Sequence, residues 1–338
     1  MVIIPFPLVF LRTSQTPDAP PALPTVRRAS PHHSLLLLFT VVWGSNFVLA
    51  EMALREMTAI AFSVARFGMA ALVMLVILYF RERSRASKNG GHFTFFPQLK
   101  RSQIPRLVAV AILGATLAPW LGIEGLKLTS SGRASLWLAM LPVVSAALGV
   151  LLQTERIRWL GTLGLVAAGV GTIGLALDGV SSEQQYWLGD VFLVVAICCT
   201  AIELHLIKPL AAEYGSTSMV ATRNMIGVPI YLLIASPALV QQPWLNLDVW
   251  TWVAILVGGG IGVGMGQWVK VRALNVLGPT RVVLYGNLVP PVTLLLAWLI
   301  LGTEPTALEV GAGLLIVAGA VCVQMGGSTH QQELEITA

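Results

Sequence analysis

The chain alternates between long apolar runs and short polar connections over most of its length. About 20 mostly apolar residues in a helix cross the roughly 30 Å hydrocarbon core of a bilayer. Runs of this kind lie near Leu35–Leu54, Ala59–Phe80, Pro105–Leu126, Ala134–Gln153, Trp159–Leu177, Trp187–Lys208, Thr217–Leu239, Trp250–Val271, Thr280–Leu301 and Thr306–Met325. A spanning segment must satisfy its backbone hydrogen bonds internally, so the pattern predicts an all-α polytopic membrane protein with ten transmembrane helices.

Composition agrees with this pattern. Of the 338 residues, 56% are hydrophobic and 11% are charged, against about 25% charged in a soluble domain. The formal net charge is +5, but the basic residues flank apolar runs and form no continuous basic face. The expected partner is therefore the lipid bilayer and not nucleic acid.

The N-terminal segment 1–33 differs from the rest of the chain. It contains the prolines Pro5, Pro7, Pro17, Pro20, Pro21, Pro24 and Pro31. Its apolar start lacks the leading positive charge of a signal peptide. We expect a disordered tail, or a start codon assigned too early.

Three cysteines lie inside predicted spans: Cys198, Cys199 and Cys322. Two are adjacent, which suits neither a disulfide framework nor a metal site. We interpret them as apolar packing residues, and we expect no metal and no other cofactor.

The basic residues indicate the orientation in the membrane. Of the 21 Lys and Arg residues, sixteen lie on the side of the N-terminus when connections are assigned alternately to the two faces. Arg55, Lys127 and Arg133 lie on the opposite side, and Arg66 and Arg223 lie within spans. Because cytoplasmic loops are enriched in Lys and Arg, both termini are predicted to be cytoplasmic, in a bacterial inner membrane.

The two halves of the chain resemble each other. EGLKLTSSGRASLWLAMLPVV from Glu124 aligns with RALNVLGPTRVVLYGNLVPPV from Arg272, and Trp120 aligns with Trp268 at the same offset. With small changes of offset, Glu155 aligns with Glu304 and Arg66 with Arg223. The repeats are predicted to span residues 34–178 and 186–326, with a C-terminal cytoplasmic tail at 327–338. Five spans is an odd number, so the second repeat is inverted in the membrane, as in many secondary transporters.

The end of each half also resembles a known family. ALNVLGPTRVVLYGNLVPPVTLLLAWLILGTEPTALEVGAGLLIVAGAVC, from Ala273 to Cys322, resembles the end of an EamA repeat of the drug/metabolite transporter superfamily: a proline in a span, a Gly-x-Glu turn and a Gly-rich last helix. The first copy departs from the pattern by reading Gln153-Thr154-Glu155 at the turn. WGSNFVLAE from Trp43 resembles the first helix of the family, and Arg66 stands where its second helix usually has an arginine. The resemblance implies a transporter with a central cavity between the halves.

Polar and aromatic side chains inside the spans are the candidates for lining that cavity. They are Trp43, Asn46, Trp120, Trp137, Gln267, Trp268, Tyr285 and Asn287. The resemblance implies that the first, third, fourth, sixth, eighth and ninth helices surround the substrate. An amide inside a span needs a partner, so each amide bonds either a ligand or a neighbouring helix, and the tryptophans either enclose the ligand or lie at the membrane interface.

Charged residues in hydrocarbon are costly and are therefore candidates for function. Arg66 and Arg223 are predicted either to bond carbonyls at helix ends or to contact an anionic substrate group. Glu203 and His205, near the end of the sixth span, have no matching residues in the first half. Glu203 is predicted either to carry a coupling proton, if it faces the cavity, or to be solvated or paired with Lys208.

Two prolines and one glycine cluster are predicted to shape the helix backbone and helix packing. Pro142 and Pro290 lie at matching positions in the fourth and ninth spans and predict kinks that shape the cavity or act as hinges. The glycines from Gly258 to Gly266 crowd the eighth span. Inside an apolar span they favour close helix approach over a nucleotide-binding loop.

The sequence therefore predicts a secondary transporter of a small organic metabolite, with amino acids and related amphipathic compounds among the candidates and protons as one possible coupling ion. No Walker motif is present. An intramembrane enzyme would need clustered Asp, Glu, His or Cys near one membrane face; the sequence shows no such cluster, and its intramembrane acids are interpreted as few, unpaired and without aspartate. The third alternative, a receptor or scaffold, has no need of inverted symmetry.

Overall fold

The computed structural model describes residues 31–89, 99–153, 155–181, 186–266, 269 and 285–329. Seven of its helices are long and apolar enough to cross a bilayer: Ala59–Arg81, Arg101–Lys127, Ser131–Leu151, Trp159–Val180, Trp187–Tyr214, Thr217–Gln241 and Ala307–Met325. Shorter apolar helices, Leu37–Ala53, Val249–Met265 and Val289–Leu301, occupy the other three predicted spans. The ten-helix membrane architecture predicted from the sequence is confirmed.

We number the ten helices α1 to α10 in chain order. Their bounds are α1 Pro31–Ala53, α2 Ala59–Asn89, α3 Arg101–Lys127, α4 Ser131–Leu151, α5 Trp159–Ser181, α6 Trp187–Tyr214, α7 Ser216–Gln241, α8 Val249–Met265, α9 Val289–Leu301 and α10 Ala307–Gly326. Helix α1 begins inside the segment predicted to be a tail. Of the predicted site residues, Gln267 and Trp268 lie outside the described residues.

The two halves exchange contacts reciprocally. Helix α6 packs against α3 and α4, and α1, its equivalent in the first repeat, packs against α8 and α9. In the same way α2 packs against α8 and α7 against α3. Each repeat therefore inserts its first two helices against the other repeat, as expected for two inverted copies around a shared centre.

Local helix irregularities follow the same symmetry. A π-helical segment interrupts α3 at Leu113–Leu117, and another forms most of α8 at Ala254–Met265. In the repeat alignment the first segment corresponds to the end of the second. Such i→i+5 segments often mark functional positions.

Both aligned prolines follow a helix break. In α4 the first segment ends at Leu138 and the next begins at Leu141, one residue before Pro142. Helix α9 begins at Val289, one residue before Pro290, directly after a turn. Because proline has no backbone N–H to donate and its ring disfavours the preceding helical turn, it sits naturally at the start of a new segment. Whether these breaks act as hinges stays a prediction.

Helices α5 and α10 pack closely at the edge of the bundle. A Cβ added to Gly164 would lie 2.5 Å from the carbonyl oxygen of Gly319, and one added to Gly319 would lie 2.6 Å from that of Gly164. The opposite face of α5 is exposed along its length and carries Leu163, Val166, Val170, Ile173 and Leu177. The spacing of three to four residues defines one helix face, which we assign to lipid.

The turns after α4 and α9 explain the family motif. Gly302, the glycine of the Gly302-Thr303-Glu304 turn, has φ +70°, and Gln153 at the matching place has φ +56°. Glycine adopts this left-handed conformation readily, whereas a side chain strains it. The first repeat therefore has the same left-handed turn as the second, but Gln153 adopts it with conformational strain that Gly302 avoids.

One short β-ladder joins this region to the end of the chain. Strand Glu155–Ile157 pairs antiparallel with Gly327–Thr329, which directly follows α10. The predicted C-terminal tail thus begins as a strand. The pairing also places the end of α10 on the same face of the bundle as the α4–α5 connection.

Candidate functional site

Arg133 is the centre of a buried charge cluster at one end of the bundle. Its side chain is 0% exposed. Its Nε and Nη2 donate to the two carboxylate oxygens of Asp190 at 2.9 and 2.6 Å, and Nη1 donates to Asp178 Oδ2 at 2.7 Å. Glu309 Oε1 lies 3.7 Å from Nη1. We call Arg133, Asp178, Asp190 and Glu309 the Arg133 cluster.

The cluster joins both repeats. Arg133 is in α4 and Asp178 in α5, whereas Asp190 is in α6 and Glu309 in α10. Arg133 Nη2 also donates to the carbonyl of Leu175. The cluster contains three carboxylates and one guanidinium. Burial of charged groups is costly, and the ion pairs and hydrogen bonds to Arg133 offset part of that cost.

Aromatic side chains complete the surroundings of the cluster. Trp137 Nε1 donates to Asp190 Oδ1 at 2.6 Å, and the Arg133 guanidinium lies 5.5 Å from the ring centre of Tyr186. Nearby, Glu51 Oε2 accepts from the backbone N–H of Ser131 at 2.7 Å, which satisfies a donor at the start of α4. The C-terminal end of α1 is thus tied to the helix that carries Arg133.

The cluster corrects one interpretation of the sequence. The intramembrane acids were expected to be unpaired and to include no aspartate, yet Asp190 lies in the first turn of α6, 4% exposed and ion-paired. The sequence signal was available, because Asp190 falls inside the predicted span Trp187–Lys208. Among the described residues no group of His, Cys, Asp and Glu is placed to hold a metal ion.

Glu203 forms the second buried ion pair. Its Oε1 accepts from Arg223 Nη1 at 3.1 Å, across α6 and α7. Arg223 also donates through Nε and Nη2 to Asn224 Oδ1, at 3.1 and 3.0 Å. Glu203 is 2% exposed, so the solvated alternative is wrong. The structure shows Arg223 as its ion-pair partner, a pairing that was not predicted from the sequence.

His205 bonds a different helix. Its Nε2 lies 2.9 Å from the carbonyl oxygen of Ser145 in α4. In the other repeat Thr293, which aligns with Ser145, donates through Oγ1 to the carbonyl of Gly44 in α1, at 3.3 Å. Both contacts fasten the first helix of one repeat to the fourth helix of the other.

Asn46 and Glu203 occupy equivalent positions in the two repeats, which corrects the expectation that Glu203 has no counterpart in the first half. The offset that aligns Arg66 with Arg223 also aligns Asn46 with Glu203. A Cβ added to Gly114 in α3 would lie 2.5 Å from Glu203 Cγ, and one added to Gly258 in α8 would lie 2.5 Å from Asn46 Oδ1. Each of these two polar side chains therefore packs against a glycine in the third helix of the opposite repeat.

Asn46 and Arg66 are incompletely bonded, in contrast to their equivalents. Asn46 is 1% exposed, and its Nδ2 donates to the carbonyl of Gly258 at 3.1 Å, but its Oδ1 has no partner. Arg66 is 7% exposed; its guanidinium lies 5.7 Å from the ring centre of Phe62, and its Nε has no partner.

The other cavity candidates lie on several helices. Asn287 Nδ2 donates to Gln324 Oε1 in α10 at 3.3 Å, and the Tyr285 carbonyl accepts from Thr40 at 3.1 Å. Trp120 Nε1 donates to Glu124 within α3, and Trp43 is half-buried in α1. The two described amides, Asn46 and Asn287, thus bond neighbouring helices, and among the described members of the set Trp137 contacts the Arg133 cluster. Whether the set lines one cavity stays a prediction.

An apolar groove opens between α1 and α9. Its volume is about 440 Å³, and its lining is Leu37, Leu38, Thr40, Val41, Leu288, Pro291, Val292 and Leu295. The lining carries no charged side chain.

Comparison with known proteins agrees with this architecture. A solved crystal structure has a TM-score of 0.56, with 17% sequence identity over 88% of this chain and 98% of that chain, which shows a shared fold. The uncharacterized transporter YyaM of Bacillus subtilis (strain 168) is 25% identical over 292 residues, covering 85% of this chain and 91% of that protein.

Two further relatives have more specific names. The probable terminal-alkyne amino-acid exporter of Streptantibioticus cattleyicolor is 25% identical, covering 85% of this chain and 91% of that protein. The S-adenosylmethionine/S-adenosylhomocysteine transporter of Chlamydia muridarum is 22% identical, covering 64% of this chain and 65% of that protein. The model of the EamA-like transporter family matches residues 31–177 and 187–325, once for each repeat. The chain belongs to the EamA-like transporter family.

Proposed function

We propose that this transporter exports an amino acid or related amphipathic metabolite across the bacterial inner membrane by alternating access. The Arg133 cluster is the observation that carries the mechanism. It joins α4 and α5 of the first repeat to α6 and α10 of the second at one end of the bundle. Rocking of the two repeats would have to break or re-form these ion pairs.

Burial makes the cluster suitable as a latch. Water weakens an exposed ion pair, but Arg133 is fully buried and bonds Asp190 through two parallel N–H groups. Opening this end of the bundle would hydrate all four charged groups, so their hydration offsets the broken bonds. Such a contact can therefore have two states of similar free energy, as alternating access requires.

The names of two relatives support the substrate class. One relative is named as an exporter of an amino acid and the other as a transporter of S-adenosylmethionine, which is itself an amino-acid derivative. The proposed cavity contacts are Trp43, Asn46, Trp120, Trp137, Gln267, Trp268, Tyr285 and Asn287. Aromatic rings would enclose the apolar part of the substrate, and amides would bond its polar groups.

Orientation and coupling form the finer part of the proposal. The excess of Lys and Arg on the side of the N-terminus supports cytoplasmic termini, which places the Arg133 cluster at the periplasmic end. For proton coupling, Glu203 and His205 remain the candidates. A proton that binds Glu203 would break its contact with Arg223 and so loosen α6 from α7.

Vesicle transport tests the proposal directly. Inside-out and right-side-out membrane vesicles are loaded with a pooled metabolite panel, and flux is followed by mass spectrometry with and without a pH gradient. Saturable flux of at least one organic compound that empty-vector vesicles lack is expected. Absence of such flux for every compound would overturn the transport proposal.

Variants in the same assay separate latch from coupling. Arg133→Gln is expected to abolish flux, whereas Lys100→Gln, which removes the exposed ion pair with Glu213 on the other face, is the matched control and should retain it. Glu203→Gln is expected to remove the dependence of flux on the pH gradient. Unchanged dependence would exclude Glu203 as the coupling site.

A further inference from the structure

Arg66 is a buried cation without an anion among the described residues. Its side chain lies in the interior of the bundle on α2, 7% exposed. Its guanidinium contacts the Phe62 ring, and Nε is a buried donor without an acceptor. A buried guanidinium without a counter-charge is costly, because neither lipid nor an aromatic ring replaces its lost hydration.

The second repeat shows what normally neutralises such an arginine. Arg223, the equivalent of Arg66, binds the Glu203 carboxylate at 3.1 Å. The equivalent of Glu203 is Asn46, whose shorter side chain ends in an uncharged amide. The first repeat therefore keeps the arginine and has an amide where the second repeat has the carboxylate.

Asn46 also contributes an unused acceptor. Its Nδ2 is bonded to Gly258, while its Oδ1 is buried without a donor. Helix α8 packs against both residues, because Gly258 accepts the hydrogen bond from Asn46 and a Cβ added to the adjacent Gly259 would lie 2.5 Å from the Arg66 carbonyl oxygen. An unpaired cationic donor and an unpaired neutral acceptor thus belong to the same α1–α2–α8 junction.

We propose that Arg66 and Asn46 form the subsite for the charged head of the substrate, with the substrate carboxylate on the Arg66 guanidinium and its amino group donating to Asn46 Oδ1. This inference rests on the proposed transport function and specifies its substrate as a zwitterionic amino acid or amino-acid derivative. A single guanidinium matches one carboxylate in charge, and its planar donors match the carboxylate geometry.

Helix α8 provides a means of access to the subsite. Its π-helical segment Ala254–Met265 carries both glycines that contact the subsite residues. Glycines without side chains allow α8 to shift against α1 and α2 with little steric resistance. A movement of α8 during alternating access would therefore open the subsite to the cavity.

Ligand-induced thermal stabilisation of the purified full-length protein tests the subsite. The probes are the L-amino acids, each compared with its decarboxylated amine, such as L-phenylalanine with phenethylamine and L-methionine with 3-(methylthio)propylamine. At least one amino acid is expected to raise the Tm of the wild type, and its amine is not. Vesicle flux of the same compounds runs in parallel.

Asn46→Asp is the decisive variant, since it places a carboxylate at the position of the second repeat's acid with almost no change in the shape of the Asn46 side chain. The aspartate is expected to pair with Arg66 although it loses the donation to the Gly258 carbonyl, and binding of the amino acid is expected to weaken about 30-fold or more. Arg66→Gln should weaken binding likewise. Asn246→Asp, the same change in the exposed α7–α8 connection, is the control and should leave binding unchanged.

The outcomes distinguish this inference from the transport function. Equal stabilisation by amine and amino acid, binding that survives Asn46→Asp, or transport restricted to compounds without a carboxylate would overturn the carboxylate subsite and leave transport standing. Absence of flux for every compound overturns the function itself and the subsite with it.

Discussion

Glu203 of α6 and Arg223 of α7 form a buried ion pair with an Oε1–Nη1 distance of 3.1 Å. The first repeat keeps the arginine as Arg66 but replaces the acid with Asn46. The two inverted copies thus differ in charge at the position that neutralises the arginine in the second repeat. Asymmetry of this kind lets one copy maintain structure while the other binds a ligand.

Loss of one partner of this pair is expected to be costly. Glu203→Gln leaves Arg223 buried with only Asn224 as a partner and should lower stability by about 3 kcal/mol. Unfolding in detergent, followed by tryptophan fluorescence, measures the loss. The double variant with Arg223→Gln should lose less than the sum of the two single variants; strict additivity would mean that the two residues do not interact.

The Arg133 cluster predicts a graded set of effects. Asp190→Asn removes the bidentate ion pair and should destabilise the protein by about 3 kcal/mol or more, because Asp190 is buried and also accepts from Trp137. Asp178→Asn should cost less, since that carboxylate is 17% exposed and contacts one nitrogen of Arg133 where Asp190 contacts two. Thermal unfolding of both variants in one detergent checks the order. Equal losses would show that the cluster does not depend on the bidentate contact.

The glycines that contact Asn46 and Glu203 are expected to resist substitution. In Gly258→Ala and Gly114→Ala the new methyl group would overlap Asn46 and Glu203, and each should destabilise by about 1–3 kcal/mol. Gly68→Ala in α2 is the matched control, because nothing lies within 4 Å of an added Cβ there. The control should be neutral or slightly stabilising. Similar losses at all three positions would contradict the contact-based explanation.

The left-handed turn after α4 offers a stabilising change. Gln153→Gly relieves a φ of +56° at an exposed position and should raise stability by about 1 kcal/mol. Gly302→Ala, at the matching turn with φ +70°, should lower stability by a similar amount. Denaturation midpoints of the two variants measured side by side test the pair. Opposite signs are required; a loss in both would show that Gln153 makes contacts that outweigh its strain.

The predicted orientation is accessible to chemical labelling. In a cysteine-free background, Asn246→Cys should react with a membrane-impermeant maleimide in intact cells, and Lys100→Cys should react only after the cells are opened. Both positions are exposed, and they lie at opposite ends of the bundle. The reverse pattern would invert the topology and place the Arg133 cluster on the cytoplasmic side.

Lys100 and Glu213 form an exposed ion pair at the end of the bundle opposite the Arg133 cluster. The hydrogen bond to Glu213, together with the charge of that carboxylate, raises the pKa of Lys100. The ammonium therefore stays charged to a higher pH than in an unpaired lysine. Because the pair is exposed and screened by salt, its effect on stability is expected to be small.

The sequence by itself determined the ten spans, their duplication and the class of protein. Length and apolarity of a span are local properties, since each spanning helix must satisfy its own backbone in lipid. The alignment of Arg133 with Arg281 and of Pro142 with Pro290 revealed two copies, and the odd number of spans made them inverted. The helix breaks beside both prolines were readable for the same local reason.

Only the tertiary structure decided which polar groups meet. Lipid and the protein interior are similarly apolar, so an apolar helix carries little signal of which face turns to a neighbouring helix. The partners of Arg133 come from α5, α6 and α10, and the equivalence of Asn46 with Glu203 became meaningful once both were seen against glycines of the opposite repeat. The sequence offered Lys208 as one alternative partner of Glu203, whereas the packing of α6 against α7 brings Arg223 to it. Pairing in a membrane bundle is set by helix rotation and crossing, which no local pattern of residues records.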